Sequence, residues 1–349
     1  MNSILLEDVN NIANSQMVSW DKLQGKSIFI TGATGLIGSQ IVLGIDQHNK
    51  NFGTDIKVYA LARNLDKASR LFGECTENVV TVHGDMCGEF AIDGPVDYIV
   101  HGASMTSSKD FVEKPVETIL TGINSTANIL NFARDKKVSG FVYLSSLEAY
   151  GVTDPSLTSV KETDYGFIDQ LSPRSSYSEG KRMAECLCAS YASEYAVPAK
   201  LVRLCQTFGA GVDYSDNRVF AQFAKSVIEG NDIVLKTKGE TYRNYCYTSD
   251  AVTGILCALL DGNVGEAYNI ANPTTGISIA DMAKMVAHKL SWDAIKVCFD
   301  IADDATKLGY GPTIKVALDT TKLEALGWKA TVDLEETFRR TIEYLKDVR

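Results

Sequence analysis

The sequence predicts an α/β fold: a doubly wound parallel sheet with helices on both faces, followed by a smaller mixed, mostly helical lobe. Three observations predict it. Short β-rich apolar runs alternate with amphipathic helical periodicity through the first two-thirds of the chain, the pattern of strand–helix–strand crossovers. A glycine-rich turn, Thr31-Gly32-Ala33-Thr34-Gly35-Leu36-Ile37-Gly38, joins the first run to the first long helix. Beyond Phe208 the sequence turns irregular (GAGVDYSDN), and from about Ser278 helical periodicity dominates.

Residues 1–24 read as an extra helix and a linker. Strands are expected at 27–31, 56–62, 79–83, 96–101, 141–145 and 200–205, each rich in apolar residues and short enough to cross a core once. Helices are expected at 36–48, at 115–133 with proline at the start, and at 177–194. Right-handed crossovers between such strands build one parallel sheet. The nucleotide-binding unit then spans 25–208 and takes back part of 243–272, leaving 209–242 and 273–349 for a substrate lobe.

Composition narrows the function classes. A chain of 349 residues, 45% hydrophobic and 22% charged, can bury a large core and divide into about two domains. Its formal charge of -10, with no Lys/Arg cluster, argues against nucleic acid or an anionic membrane as partner. No basic stretch precedes an apolar run at the N-terminus, and no window is long and apolar enough to span a bilayer, so a soluble, cytoplasmic protein is expected. The eight cysteines include no C-x-x-C pair and suit a reducing compartment; the four histidines show no metal-ligand spacing, so no metal is expected.

The glycine-rich turn carries the first chemistry. Gly32 permits a tight turn, Gly35 lets backbone approach a pyrophosphate, and Gly38 lets the helix pack close to the strand, while Thr34, Leu36 and Ile37 complete the loop. The helix start adds free N–H groups and partial positive charge. At the end of the second strand (VYALARN) no acid is present to accept from ribose hydroxyls, and Arg63 could hold a 2′-phosphate. The cofactor is therefore NAD(P), with NADP slightly favoured. Asp85, followed by Met86 in GDM, is a candidate for the adenine edge, or else caps a turn.

Two further runs supply reactive groups. LSSLEAYG begins as a buried strand and then presents Ser146, Leu147 and Glu148 in succession. In SSYSEGKR, Tyr177 and Lys181 are four residues apart and share one helix face, where an ammonium favours the phenolate.

With these elements in place the chain resembles the extended short-chain dehydrogenases/reductases of the nucleotide-sugar epimerase/dehydratase group, over roughly residues 25–349. TGATGLIG, VDYIVHGAS, SSLEAYG, YSEGK, VRLCQTFG, TYRNYCYTSDAV and LDTTKLEALGW carry the resemblance. It implies a Rossmann fold, an NAD(P) cofactor and a nucleotide-diphosphate sugar as substrate. It also implies that Tyr177 takes the proton of the sugar 4-hydroxyl as hydride leaves C4, that Lys181 binds the nicotinamide ribose, and that Ser146 hydrogen-bonds the same sugar oxygen. Gly102, Ala103 and Ser104 fall at cofactor positions, and Thr106, Gln206, Arg218 and Arg243 at substrate positions. A homodimer through the helices at 115–133 and 177–194 is implied as well. His101, at a strand end, is a packed supporting residue.

Leu147 and Glu148 divide the reactions open to a 4-keto sugar. A 4,6-dehydratase places an acid just before the glutamate to protonate the departing 6-hydroxyl, help worth roughly a hundred- to ten-thousandfold; this chain has Leu147 there. Carbon dioxide needs no such proton, and the run PRSSYSEGKRMAE, Glu148 and Arg243 resemble UDP-glucuronate decarboxylases most. Gly122 and Gln206 stand where the group has asparagines, which points to a substrate other than the common hexoses. Dehydration, 4-epimerisation, NADPH-dependent reduction of a keto sugar and a non-catalytic dinucleotide sensor are the alternatives.

Overall fold

The first strand, β1 (Ser27–Thr31), is buried at every position, as a parallel strand covered by helices on both sides must be. The computed structural model describes residues 1–102, 108–302 and 313–349. In it β1 joins β2 (Lys57–Ala62), β3 (Val79–His83), β4 (Tyr98–His101), β5 (Gly140–Ser146) and β6 (Ala199–Leu204) in one parallel sheet. The chain then forms β7 (Gln206–Phe208), β8 (Ile233–Leu235) and β9 (Tyr242–Tyr247) elsewhere before returning β10 (Ala267–Ile270) to that sheet. Its order is β10-β6-β5-β4-β1-β2-β3. The winding reverses between β1 and β4, and such a reversal opens a crevice at the strands' carboxyl ends.

Eleven α-helices are described, and the first six flank or extend this sheet: α1 (Ser3–Ala13), α2 (Leu36–Phe52), α3 (Leu65–Phe72), α4 (Ser108–Glu113), α5 (Pro115–Lys136) and α6 (Ser176–Tyr195). The others are α7 (Val219–Glu229), α8 (Thr248–Asp261), α9 (Ile279–Met285), α10 (Thr321–Glu324) and α11 (Leu334–Asp347). Strand alternation sorts side chains into two cores. Ile28, Ile30 and Val142 enter the core shared with Ile45 of α2 and Ile255 of α8. Phe29 and Phe141 enter the opposite one, with Leu130 of α5 and Ala184 of α6.

The second lobe starts where β6 ends. There β9 pairs with β7, β11 (Asn272–Ser278) and β13 (Lys315–Val316), while β8 pairs with β12 (Val297–Phe299). Phe208, Phe220, Phe223, Met282 and Phe338 form its core. After Ser278 the regular structure among the described residues is mostly helical, as expected, with strands of two and three residues interleaved. Elements that short display no period-two pattern. In the returning stretch, β9 belongs to the second sheet, whereas α8 and β10 pack with the first.

The N-terminal helix is fastened to both parts. Asp8 of α1 accepts from Arg340 Nη2 of α11 at 2.7 Å and from the Tyr247 hydroxyl at the end of β9. His48 of α2 stacks on Trp20, centroids 3.9 Å apart, and its Nδ1 is 2.7 Å from the Ala13 carbonyl oxygen. Among the described residues no helix is long and apolar enough to cross a membrane.

Candidate active site

The crevice widens into a cleft of about 1920 Å³ bounded by the β1–α2 turn, the ends of β4 and β5, the start of α6 and the second lobe. At its floor Gly32 adopts φ +67°, and the Gly35 N–H donates to the Gly32 carbonyl at 2.9 Å. A Cβ on Gly38 would lie 2.2 Å from that same carbonyl oxygen, so only glycine lets α2 start here. Gly35 caps α2 without a side chain, which leaves the first N–H groups aimed into the cleft. Thr34, Leu36 and Ile37 line the cleft beside the three glycines. This cradle fits a dinucleotide pyrophosphate.

Farther along, Gly102 lines the cleft at the end of β4, and Met86 lines it while its carbonyl accepts from Asn128 Nδ2 at 2.9 Å. Arg63 also borders it, with 79% of its side chain exposed and its Nη1 3.9 Å from Asp85. The Asp85 carboxylate is spent on the turn: Oδ1 accepts the Cys87 N–H at 2.8 Å. Ala103, Ser104 and Thr106 lie outside the described residues.

The reactive groups converge where β5 meets α6. Ser146 ends β5 close to Tyr177, and its hydroxyl accepts the Glu148 N–H at 3.2 Å. Enclosure pushes the Tyr177 phenol up to about 12; the Glu148 charge adds to this, while Ser146, Arg174 and Arg218 oppose it. Lys181, one turn on, is buried and donates to the Leu144 carbonyl at 2.7 Å, with Nζ 4.7 Å from the Tyr143 ring centre and 5.7 Å from that of Tyr177. Burial brings its amine down to about 8, against the pull of Glu185. His101 bridges Thr31 Oγ1 at 2.8 Å and Thr126 Oγ1 at 3.2 Å; burial, then the Lys181 charge, lowers it to about 3, so it is a neutral prop.

Glu148 projects from a 3-10 turn (Leu147–Tyr150) into the cleft, and Arg174 Nη2 lies 3.3 Å from each of its carboxylate oxygens. Ser178 Oγ donates to it at 3.4 Å. Leu147 is only 4% exposed; it packs with the core and also borders the cleft. From the second lobe, Gln206 on β7 and Arg243 on β9 reach the same cleft, and Arg243 Nε is buried with no hydrogen-bond partner among the described residues. Arg218, at the start of α7, borders the cleft but forks onto Asp216, Nη2 to Oδ2 2.6 Å. Among the described residues no group of three His, Cys, Asp or Glu side chains gathers to hold a metal.

The structure thus brings Ser146, Glu148, Tyr177, Lys181, Gln206, Arg218 and Arg243 around one cleft and sets Asp85 outside its lining. It adds two residues that sequence reasoning missed. Phe111 of α4 stacks on the Tyr177 ring at 4.3 Å, and Arg174 lies over Phe111. The signal for Arg174 was its place three residues before Tyr177; nothing marked Phe111.

Residues 28–271 match the family model described as the NAD dependent epimerase/dehydratase family. The chain belongs to that family. This epimerase/dehydratase family enzyme is 32% identical to UDP-glucuronic acid decarboxylase 1 of Xenopus tropicalis, across 92% of its own length and 72% of the relative's. It is 25% identical to the dTDP-D-glucose 4,6-dehydratase of Bos taurus, over 92% and 89%. Among solved structures, UDP-glucose 4-epimerase of Thermotoga maritima superposes with a TM-score of 0.76 at 22% identity, over 92% and 99%, which bears on the fold. The parallel sheet and glycine loop expected from the sequence are those of the family's extended short-chain dehydrogenase/reductase members.

Proposed function

We propose that this enzyme oxidises a nucleotide-linked sugar at C4 and then removes the C6 carboxylate of a glucuronate as carbon dioxide. One observation carries the choice: Glu148 lines the cleft and is held by Arg174, while the side chain beside it, Leu147, is an alkyl group with no proton to give. Expulsion of a hydroxide from C6 lacks its general acid; loss of carbon dioxide requires none. The decarboxylases among the relatives support the same choice.

In this reading a dinucleotide held by the Gly32–Gly38 turn and Lys181 would supply reversible hydride transfer at C4. Tyr177, supported by Ser146, accepts the 4-hydroxyl proton as the C4 carbonyl forms. The C5–C6 bond then breaks, carbon dioxide departs, and its bonding electrons pass into the enolate of the 4-ketone. Glu148 is the proton carrier at C5, and Tyr177 returns its proton to the C4 oxygen. Arg243 and Arg218 hold the anionic groups of the nucleotide sugar, and Gln206 meets the sugar. Arg63, exposed at the end of β2, favours NADP slightly over NAD. The enzyme acts in the cytoplasm, as eight free cysteines suit, and pairs through α5 and α6.

Purified protein incubated with a panel of nucleotide sugars and either NAD or NADP tests this by product mass. UDP-glucuronate should lose carbon dioxide with no net consumption of cofactor, and NADP should raise the melting temperature at least as much as NAD. A neutral hexose losing water while UDP-glucuronate is untouched overturns the choice. Cofactor consumed in proportion to product makes the protein a reductase, the alternative that Arg63 favours.

A further inference from the structure

We infer that Arg174 is a positioning residue that couples Glu148 to Tyr177, holding the carboxylate of one and the ring of the other in working register. It occupies the 3-10 turn Pro173–Ser175 that leads into α6. Its Nη2 reaches both Glu148 oxygens at 3.3 Å, and its guanidinium carbon sits 5.0 Å from the centre of the Phe111 ring. Phe111 stacks on Tyr177 with 11° between the ring planes. Ser176 Oγ donates to the Phe111 carbonyl at 2.9 Å, so the stack is tied to the helix that carries the phenol. A single side chain therefore touches the acid directly and the phenol through one ring.

A guanidinium suits this post because it is planar, permanently charged and able to stack while it donates. Arg174 Nε is buried with no hydrogen-bond partner among the described residues, a cost that a side chain kept for packing alone would avoid. The Glu148 contacts are longer than a saturated charge-assisted pair, normally about 2.7–2.9 Å. The carboxylate is steered by the arginine without being locked to it.

The charged and titratable groups facing Tyr177 are Glu148, Arg174 and Arg218, with Lys181 on its own helix and Tyr143 on β5. Glu148 opposes ionisation of the phenol, and Arg174 and Arg218 relieve that opposition. Without Arg174 the Glu148 charge stands less opposed, and the phenol keeps its proton to higher pH. The acid limb of turnover, which requires the base deprotonated, then moves upward.

The inference rests on the proposed use of Glu148 and Tyr177 in turnover. Full-length Arg174→Met and Arg174→Lys, checked for fold by circular dichroism, are assayed with UDP-glucuronate across pH. Arg174→Met should lose roughly ten- to a hundredfold in kcat with KM little changed. Its acid limb should shift to higher pH, and Arg174→Lys should recover part of both effects. Because Arg174 acts in part through Glu148, Arg174→Met combined with Glu148→Gln should lose less than the product of the two single losses. An unmoved pH limb, an equal loss in the lysine variant, or losses that multiply in the double variant overturns the inference. If Arg174→Met does not fold, the lysine variant's pH limb decides. Wild-type protein that ignores UDP-glucuronate refutes the decarboxylase reading alone, and the variants are then compared on the nucleotide sugar of the panel that is turned over.

Discussion

Leu147 shows how one side chain sets the limits of a reaction. Position 147 borders the cleft yet is only 4% exposed and packed among core residues, so an acid there would sit largely among apolar neighbours. Leu147→Asp should therefore not produce a dehydratase. Burying an unpaired carboxylate in exchange for packed methyl groups costs about 3 kcal/mol or more. The expected outcome is a lower midpoint in urea unfolding and no water loss from dTDP-glucose. At this scale the sequence was informative wherever a residue's neighbours along the chain are also its partners, as with Ser146 beside Glu148, or Tyr177 one turn from Lys181. It was silent about Phe111 on Tyr177, a contact between residues far apart in the chain. It also could not show that Arg63 stays exposed while Asp85 turns back on its own loop.

At the scale of elements, α1 is held by contacts that the sequence did not display. The stacked pair of Trp20 and His48, with His48 bonded to the Ala13 carbonyl, pins the N-terminal segment to α2. Burial lowers the His48 pKa, opposed by that hydrogen bond. The folded chain thus prefers neutral His48, and the unfolded chain binds the proton more readily, near pH 6.5. The resulting stability is in full effect above that pH and is lost as the pH falls below it. Wild-type protein should lose melting temperature between pH 7 and pH 5 more steeply than His48→Gln, as calorimetry on both can establish. Long elements were legible because their apolar period repeats: α2, α5 and α6 and the six early strands all appear where expected, with ends shifted by a few residues. The strands of the second lobe were not, since β12 and β13, of three and two residues, are too short to repeat a pattern.

For the molecule as a whole, the exposed faces of the two helices beside the site define the expected assembly. Val116 and Leu120, one turn apart on α5, are 61% and 49% exposed, and Met183 on α6 is 50% exposed. Apolar side chains so placed on neighbouring helices suit a two-fold, self-complementary contact, which needs roughly 800 Å² from each partner. Sedimentation equilibrium should give twice the chain mass, and Leu120→Glu should return the monomer. A wild-type monomer at micromolar concentration would dismiss the pairing.

The late arrival of β10 bears on how the chain is made. Its place beside β6 stays vacant on the ribosome until residues 205–266 have been synthesised, because the partner register runs from Leu201 with Ala267 to Leu204 with Ile270. Nascent chains halted at about residue 208 will thus carry a bare sheet margin, open to proteases and to chaperones that recognise unpaired backbone.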